Sequence, residues 1–383
     1  MKVLLYSKSF PPALGGIEAV SLSLAERIVE AGHSCVVVTE TPADGSRPDR
    51  FPFVVERAPD LRRRLALVKA TDLVHSNGAS LALFFHAKIL RRPFVWTHAG
   101  YQMVSVDGLG WVDGKPAPLT PLASLLFHAR KRGLRVAGVE ALKLAVRRVA
   151  GLGVDRNVAV SRWVAQRQSL PRQVVIHNPF ALSTFRQAQS VVRSTRYDFV
   201  FVGRLVSEKG VATLLRALAL VNGARDGRRP ASLLIVGEGV ERPALQELAQ
   251  SLGVGASVQF AGRKHGQELL EAMVQAKVAV VPSEWEEAMG GVALELLAAG
   301  LPLIVSERGG LAECVGEAAW TFPNGDHRAL AARMAAVIDD DSLGQSKTRA
   351  AQQVLERFDE RVLAQRYLDL YAEILAERAR RAS

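Results

Sequence analysis

The sequence predicts an α/β chain folded as two doubly wound domains, and three observations carry that reading. At 383 residues and 49% hydrophobic content the chain has material for two cores, and chains beyond about 250–300 residues usually split rather than enlarge one core. The first half alternates short apolar runs with apolar-periodic helical stretches, the rhythm of βαβ units around a parallel sheet. The second half then starts the pattern again: DFVFVG, SLLIVG, SVQFAG, KVAVVP and LPLIVS each read as a buried strand followed by a loop and a helix.

In order, Lys2 to Tyr6 reads as the first strand, and the loop SKSFPPALGG leads into a helix from Ile17 to Ala31. Gly15 and Gly16 can let the backbone approach a ligand at that helix's amino end, or they form a plain strand-to-helix turn. His33, in the AGH that follows, reads as a capping residue. Strands at Ser34 to Thr39, Asp72 to His75 and Phe94 to Thr97 alternate with helices near Leu61 to Ala70 and Ala79 to Leu90. Ligands of such sheets sit at the carboxyl ends of strands. His98 stands there, in FVWTHAGYQ, either as a hydrogen-bonding site residue or as a satisfied core histidine.

Residues 101–151 break the rhythm with a Gly/Pro-rich loop, DGLGWVDGKPAPLTP, and then helical stretches bearing Arg130, Lys131, Arg132, Arg135, Lys143, Arg147 and Arg148. Strands resume at Asn157 to Val160 and Gln173 to Ile176, the second followed by His177, Asn178 and Pro179. Residues 183–196 lack a clear period and read as a linker.

In the second half, VGRLVSEKG puts Arg204 and Lys209 in the loop after the first strand. A guanidinium fork and a compact ammonium suit a diphosphate there, although both can be solvated loop charges. VGEG, with Gly237 and Glu238, is no dinucleotide fingerprint, because Arg242 stands where the third glycine would be. The most informative stretch is PSEWEEAMGGVALELLAAGLPLIV, residues 282–305. A strand ends at Pro282, Glu287 occupies the loop, and a helix runs from Gly291 to Ala299 with Gly300 and Pro302 as its stop. Helical rise puts Glu295 about 10 Å from Glu287, the reach from a ribose across a diphosphate to a hexose. Carboxylates accept hydrogen bonds from vicinal hydroxyls, and free amides at a helix start attract phosphates. The plain alternative makes Glu295 a solvated residue of an amphipathic helix. The DDD at 339–341 contains a D-x-D but reads as a solvated acidic loop, and Glu360 to Ala382 reads as one long helix.

Composition narrows the function classes. No segment reaches the roughly 18 apolar residues of a membrane span, and MKVLLYSKSF has too short an apolar run for a secretory signal. A cytoplasmic protein is the expectation. Cys35 and Cys314 fall in different predicted domains with no metal-ligand spacing, and read as buried apolar fillers. The formal net charge is +11, and residues 61–150 alone hold 15 Lys or Arg against 4 Asp or Glu, so the basicity is local. There, Leu122 to Phe127 and Val136 to Val149 interleave apolar residues with cations, a surface that can rest on anionic headgroups at the inner face of the cell membrane. Nucleic acid is the rival for a basic patch, but stacking aromatics are sparse and no nucleic-acid motif is present.

These stretches, in order, resemble GT4-type retaining glycosyltransferases (glycosyltransferase group 1). The resemblance rests on PPALGGIEAVSLSLAERIVEAGHSCVVVT, on GR-x5-KG, on the E-x7-E of Glu287 and Glu295 with EAMG where the family often has EGFG, on LELLAAGLP, and on GG-x-x-E ending at Glu313. It implies the GT-B fold, two doubly wound Rossmann-like domains facing across a cleft. Residues 1–182 would be the acceptor side, with helix 361–382 packing back on it, 183–196 the linker and 197–360 the nucleotide-sugar domain.

The resemblance also implies donor binding by Gly15, Gly16, Arg204, Lys209, Gly237, Glu238, Arg263, Ala288, Met289, Gly290, Gly291 and Glu295, and a reaction centre at His98 and Glu287. It implies a UDP- or GDP-sugar donor, a glycan or lipid-linked acceptor in bacterial surface polysaccharide or lipopolysaccharide assembly, no cofactor and no metal. Two rivals share the architecture: a sugar-nucleotide epimerase and a catalytically silent sugar-nucleotide sensor.

Overall fold

A computed structural model of the chain describes residues 1–13, 15–43, 50–191, 194–339 and 341–382. They form two compact units. The first comprises residues 1–110, 117–181 and 358–383, and the second residues 111–116 and 182–357.

The first unit is built on β1 (Lys2–Ser7), β2 (Ser34–Thr39), β3 (Val54–Arg57), β4 (Leu73–Asn77), β5 (Phe94–His98), β8 (Arg156–Ala159) and β9 (Gln173–Val175). All are parallel, in the order β3-β2-β1-β4-β5-β8-β9. Side chains of a strand alternate between faces. Accordingly Val3 and Leu5 of β1 enter one core, while Leu4 and Tyr6 enter another on the opposite face. The first core is closed by α1 (Gly16–Glu30) and α15 (Glu360–Ala382), which contributes Tyr367, Tyr371 and Ile374. The second is closed by α2 (Leu61–Ala70), α3 (Leu81–Ile89) and the carboxyl end of α5 (Leu134–Gly153), which follows α4 (Pro121–Arg132). The short helix α6 (Arg162–Arg167) links β8 to β9.

The second unit holds β10 (Tyr197–Val202), β11 (Leu233–Val236), β12 (Val258–Phe260), β13 (Ala276–Val281), β14 (Leu303–Ser306) and β15 (Ala319–Phe322), parallel in the order β12-β11-β10-β13-β14-β15. Connecting them are α8 (Val211–Gly223), α9 (Arg242–Ser251), α10 (Gly266–Met273), α11 (Gly291–Ala298), α12 (Gly310–Val315) and α13 (His327–Ile338), followed by α14 (Asp341–Arg357). Phe199, Phe201, Leu233, Ile235, Val278 and Val280 pack one face against α8, α9 and α13.

Several segments differ from the sequence reading. Residues 183–196 were expected as a linker, but α7 (Leu182–Arg186) and a 3-10 turn at Gln187–Ser190 fill their first part, and Gln189 Nε2 donates to Ala298 O at 2.8 Å. One turn and a half of helix is too short to show a period. The hairpin of β6 (Trp111–Val112) and β7 (Lys115–Pro116) groups with the second unit, although the rest of the loop carrying it belongs to the first. Edge strands β3 and β15 were not foreseen. Asp340 of the acidic run lies outside the described residues, while Asp339 pairs with Arg225 (3.1 Å) and Arg228 (2.9 Å), which occupies it as a surface anion. Both cysteines are buried and unpaired to each other.

Candidate active site

In the second unit the chain winds outward from β10 to β12 and then returns to β13 on the other side of β10. The loops leaving β10 and β13 therefore meet at the point where strand order reverses, the place where open α/β sheets bind ligands. The first loop carries Arg204 and Lys209, the second Glu287. Glu284 N donates to Glu208 O (3.0 Å) and Thr213 Oγ1 to Glu284 Oε1 (2.6 Å), so the loops are hydrogen-bonded into one piece.

Glu287 is only 5% exposed. Its Oε1 accepts from Lys209 Nζ at 2.9 Å and from the hydroxyl of Ser283, while Oε2 takes no bond from the described residues. Lys209 also lies 5.6 Å from the centre of the Trp285 ring. A buried charge persists only when paired and hydrogen-bonded, and each of these two groups supplies the other's partner. The main chain is held from behind: Gly310 N donates to Glu287 O (2.6 Å), and Gly309, at φ 109, approaches so closely that a Cβ would lie 2.7 Å from Glu287 N. That contact is the physical content of the GG-x-x-E stretch.

Past Glu287 the chain buries Ala288 and Met289 and enters α11 at Gly291 with Gly290 as its cap. No side chain caps this start, and the amide of Gly290 donates to Cys314 Sγ (3.5 Å). Cys314, expected as an apolar filler, is thus also a hydrogen-bond acceptor. The uncapped first turn leaves amides and the positive end of the helix dipole open to an anion. One turn further, Glu295 retains some surface but has no hydrogen bond or ion pair among the described residues. Burial pushes its carboxyl up to about 7. Glu295 thus differs from a freely solvated helix carboxylate, whose affinity for a proton is not raised by burial.

The remaining expected positions fall around these loops with distinct roles. Arg204 is largely exposed and pairs with Glu208 at 3.2 Å. Gly237 has φ 147, and a Cβ on it would strike Gly203 O at 1.8 Å, so this glycine serves the close approach of two loops. Its amide donates to Gly262 O (2.8 Å) and Glu238 O receives Leu205 N (2.9 Å), which knits the loops after β10, β11 and β12 together. The Glu238 carboxylate is taken by Arg242, and Arg263 is exposed. Trp111 Nε1 donates to Ser207 Oγ (2.9 Å), bringing a tryptophan from the β6–β7 hairpin onto the lysine-bearing loop.

In the first unit, Gly15 and Gly16 open α1, again without a side-chain cap. His98 ends β5 and is 2% exposed. Its Nε2 lies 2.8 Å from Asn157 Oδ1, and the Asn157 amide nitrogen donates to Gly151 O and Pro171 O. With the asparagine oriented this way its oxygen must accept, so Nε2 carries the proton and Nδ1 the lone pair. Burial pushes the imidazole down to about 4, partly offset by the Asn157 bond, so the ring is neutral at pH 7. His98 is thus both a satisfied core histidine and a ring whose tautomer is fixed. Sequence reasoning missed Ser283, Asn157 and Trp111. Ser283 lies inside the glutamate stretch, whereas Asn157 is 59 residues from His98 and gave no local signal.

Among the described residues no three His, Cys, Asp or Glu side chains gather as a metal-binding group, and no helix is long and apolar enough to cross a membrane.

A profile of the glycosyl transferases group 1 matches residues 183–354. The chain is 32% identical to the D-inositol 3-phosphate glycosyltransferase of Saccharomonospora viridis, covering 94% of this chain and 90% of that protein. It is 29% identical to the glycogen synthase of Mycobacterium tuberculosis, covering 93% and 90%. Among solved structures, Anabaena HepE in complex with UDP-glucose superposes with a TM-score of 0.70 at 19% identity, covering 98% of this chain and 100% of that one.

Proposed function

The chain belongs to the group 1 glycosyltransferases, with the GT-B fold of its structural neighbours, and from that membership we propose a specific reaction. It transfers a sugar from a UDP- or GDP-sugar to a glycan or lipid-linked acceptor, with retention of anomeric configuration and without a divalent ion, at the cytoplasmic side of the cell. The observation that carries this reading is the Lys209–Glu287 pair beside the uncapped start of α11, with an unpartnered Glu295 one turn along.

The chemistry follows from the groups. Breaking the bond between the anomeric carbon and the diphosphate oxygen puts negative charge on the departing phosphate. Lys209, Arg204 and the first amides of α11 are preorganised cationic and dipolar groups for that charge, the task a divalent ion performs elsewhere. Glu295 accepts hydrogen bonds from the ribose hydroxyls, and Glu287, fixed by Lys209 and Ser283, orients the hydroxyls of the transferred sugar. In the acceptor half the neutral His98 offers the Nδ1 lone pair to a hydroxyl. A UDP-sugar is the first donor to test, since HepE, a protein of the same fold, is solved with UDP-glucose.

Two measurements test the assignment. Glu295→Gln should weaken nucleoside diphosphate binding about tenfold, the worth of a hydrogen bond to a charged group, whereas Glu287→Gln should leave that binding nearly intact and depress turnover. Equal loss of binding in both variants contradicts the division of labour. Transfer should also persist in excess chelator and yield a product with the donor's anomeric configuration by NMR. Activity lost to chelator and restored by magnesium, or an inverted product, would refute the corresponding half of the proposal.

A further inference from the structure

Helices α4 and α5 of the first unit pack against each other, and α5 packs against α3, where Gly153 faces the ring of Phe84. Each of these helices also carries large apolar side chains that are exposed. On α5, Ala137, Leu144 and Ala150 are buried, yet Val139, Leu142 and Val149 are exposed. Leu142 is 65% and Val149 67% exposed. Leu122 and Leu126, one turn apart on α4, and Phe85 and Ile89, one turn apart on α3, are exposed in the same way. Large apolar side chains are ordinarily buried, and several exposed on helices that pack together mark an interaction site.

Charge identifies the occupant. Residues 121–153 contain seven Lys or Arg and one acid, Glu140, which already pairs with Lys143 at 2.8 Å. Arg130, Lys131, Arg132 and Arg135 stand exposed at the α4–α5 corner. A second copy of the chain joined through this face by a two-fold axis would set the same cations against themselves with no acid to pair them. Nucleic acid would use the cations but gain nothing from leucine and valine. An anionic bilayer uses both, with cations at the headgroups and apolar side chains below them.

We propose that this α3–α4–α5 face seats the enzyme on an anionic lipid surface, where it meets a lipid-borne acceptor. The acceptor half of this statement rests on the glycosyltransferase reading above, while the docking half does not.

The test is sedimentation of the full chain with vesicles of phosphatidylglycerol and phosphatidylcholine, against vesicles of phosphatidylcholine alone, at low and high salt. The protein should sediment with the anionic vesicles only, and release at high salt. Replacing Arg130, Lys131, Arg132 and Arg135 together by Gln should cut partitioning at least about tenfold, given roughly fivefold per cation near the surface. Leu142→Ser with Val149→Ser should also cut it, while the thermal unfolding midpoint of the free protein is unchanged, which separates lost docking from lost folding. Absence of binding to anionic vesicles at low salt overturns the proposal. So does a dimer in sedimentation velocity that Leu142→Ser dissolves, because a second copy then covers the face. Vesicle binding without any sugar transfer upholds the docking and counts against the reaction.

Discussion

Glu287 and Lys209 hold each other in place, so removing one strands the other. Glu287→Ala leaves the ammonium of Lys209, whose side chain is 18% exposed, without its carboxylate, and should cost about 3 kcal/mol. Urea unfolding should show this loss, and adding Lys209→Met should recover most of it. A double variant as unstable as the single one counts against the pairing. Glycines at the site divide just as sharply. Gly237→Ala drives a Cβ into Gly203 O and should destabilise the second unit severely, whereas Gly16→Ala meets nothing nearer than Phe180 at 3.9 Å and should leave stability within about 0.5 kcal/mol. Glu295 offers a third test. Hydroxyls donating to its carboxylate favour the charged form, so a nucleoside diphosphate bound near pH 7 should release part of a proton. Calorimetric binding enthalpy should therefore vary with the buffer's ionisation enthalpy, and Glu295→Gln should abolish the variation. A wild type without buffer dependence contradicts the contact. These residues were legible because Glu287, Gly290, Gly291 and Glu295 are near neighbours in one stretch. Asn157 and Cys314 were not, because each acts on its partner from a distant part of the chain.

Helix α15 shows how a single element can complete a core begun elsewhere. Its Tyr371 hydroxyl lies 2.6 Å from His75 Nδ1 on β4, whose Nε2 meets Thr97 Oγ1 at 2.7 Å, and Tyr367 stacks on the same imidazole at 5.3 Å. Tyr371→Phe leaves a buried ring nitrogen unsatisfied and should cost about 1–3 kcal/mol, measured by thermal or urea unfolding. A neutral effect would mean the contact is idle. The buried parallel strands and most of their helices were readable as apolar runs with turn signals between them, and α15 as a long periodic stretch. β3 was not, because a half-exposed edge strand of four residues carries no continuous apolar run, nor was the two-residue ladder of β6 and β7, whose partners are fixed by the loops around them.

At the scale of the whole molecule, acid should act on the two units in opposite directions. Burial pushes His75 down to about 3 and His98 down to about 4, so the folded first unit keeps both neutral while the unfolded chain binds protons below about 6.5. Falling from pH 6.5 to 5 should therefore cost that unit about 2 kcal/mol per histidine; His86 works with them and Glu26, raised by burial, against them. In the second unit Glu295 binds its proton more readily folded than unfolded, so stability rises as pH falls from about 7 toward 4.5. Calorimetric scans at pH 7 and 5 should show the first unit's transition falling and the second unit's rising, and shifts of both in one direction would contradict this. The return of α15 to the first unit has a further consequence, for biosynthesis. A nascent chain is read from its amino end, yet the apolar floor formed by Val3, Leu5 and Ile28 waits for side chains beyond Phe358. At roughly 5–20 residues per second the α15 side of this core stays open for on the order of ten seconds or more while the whole second unit is translated.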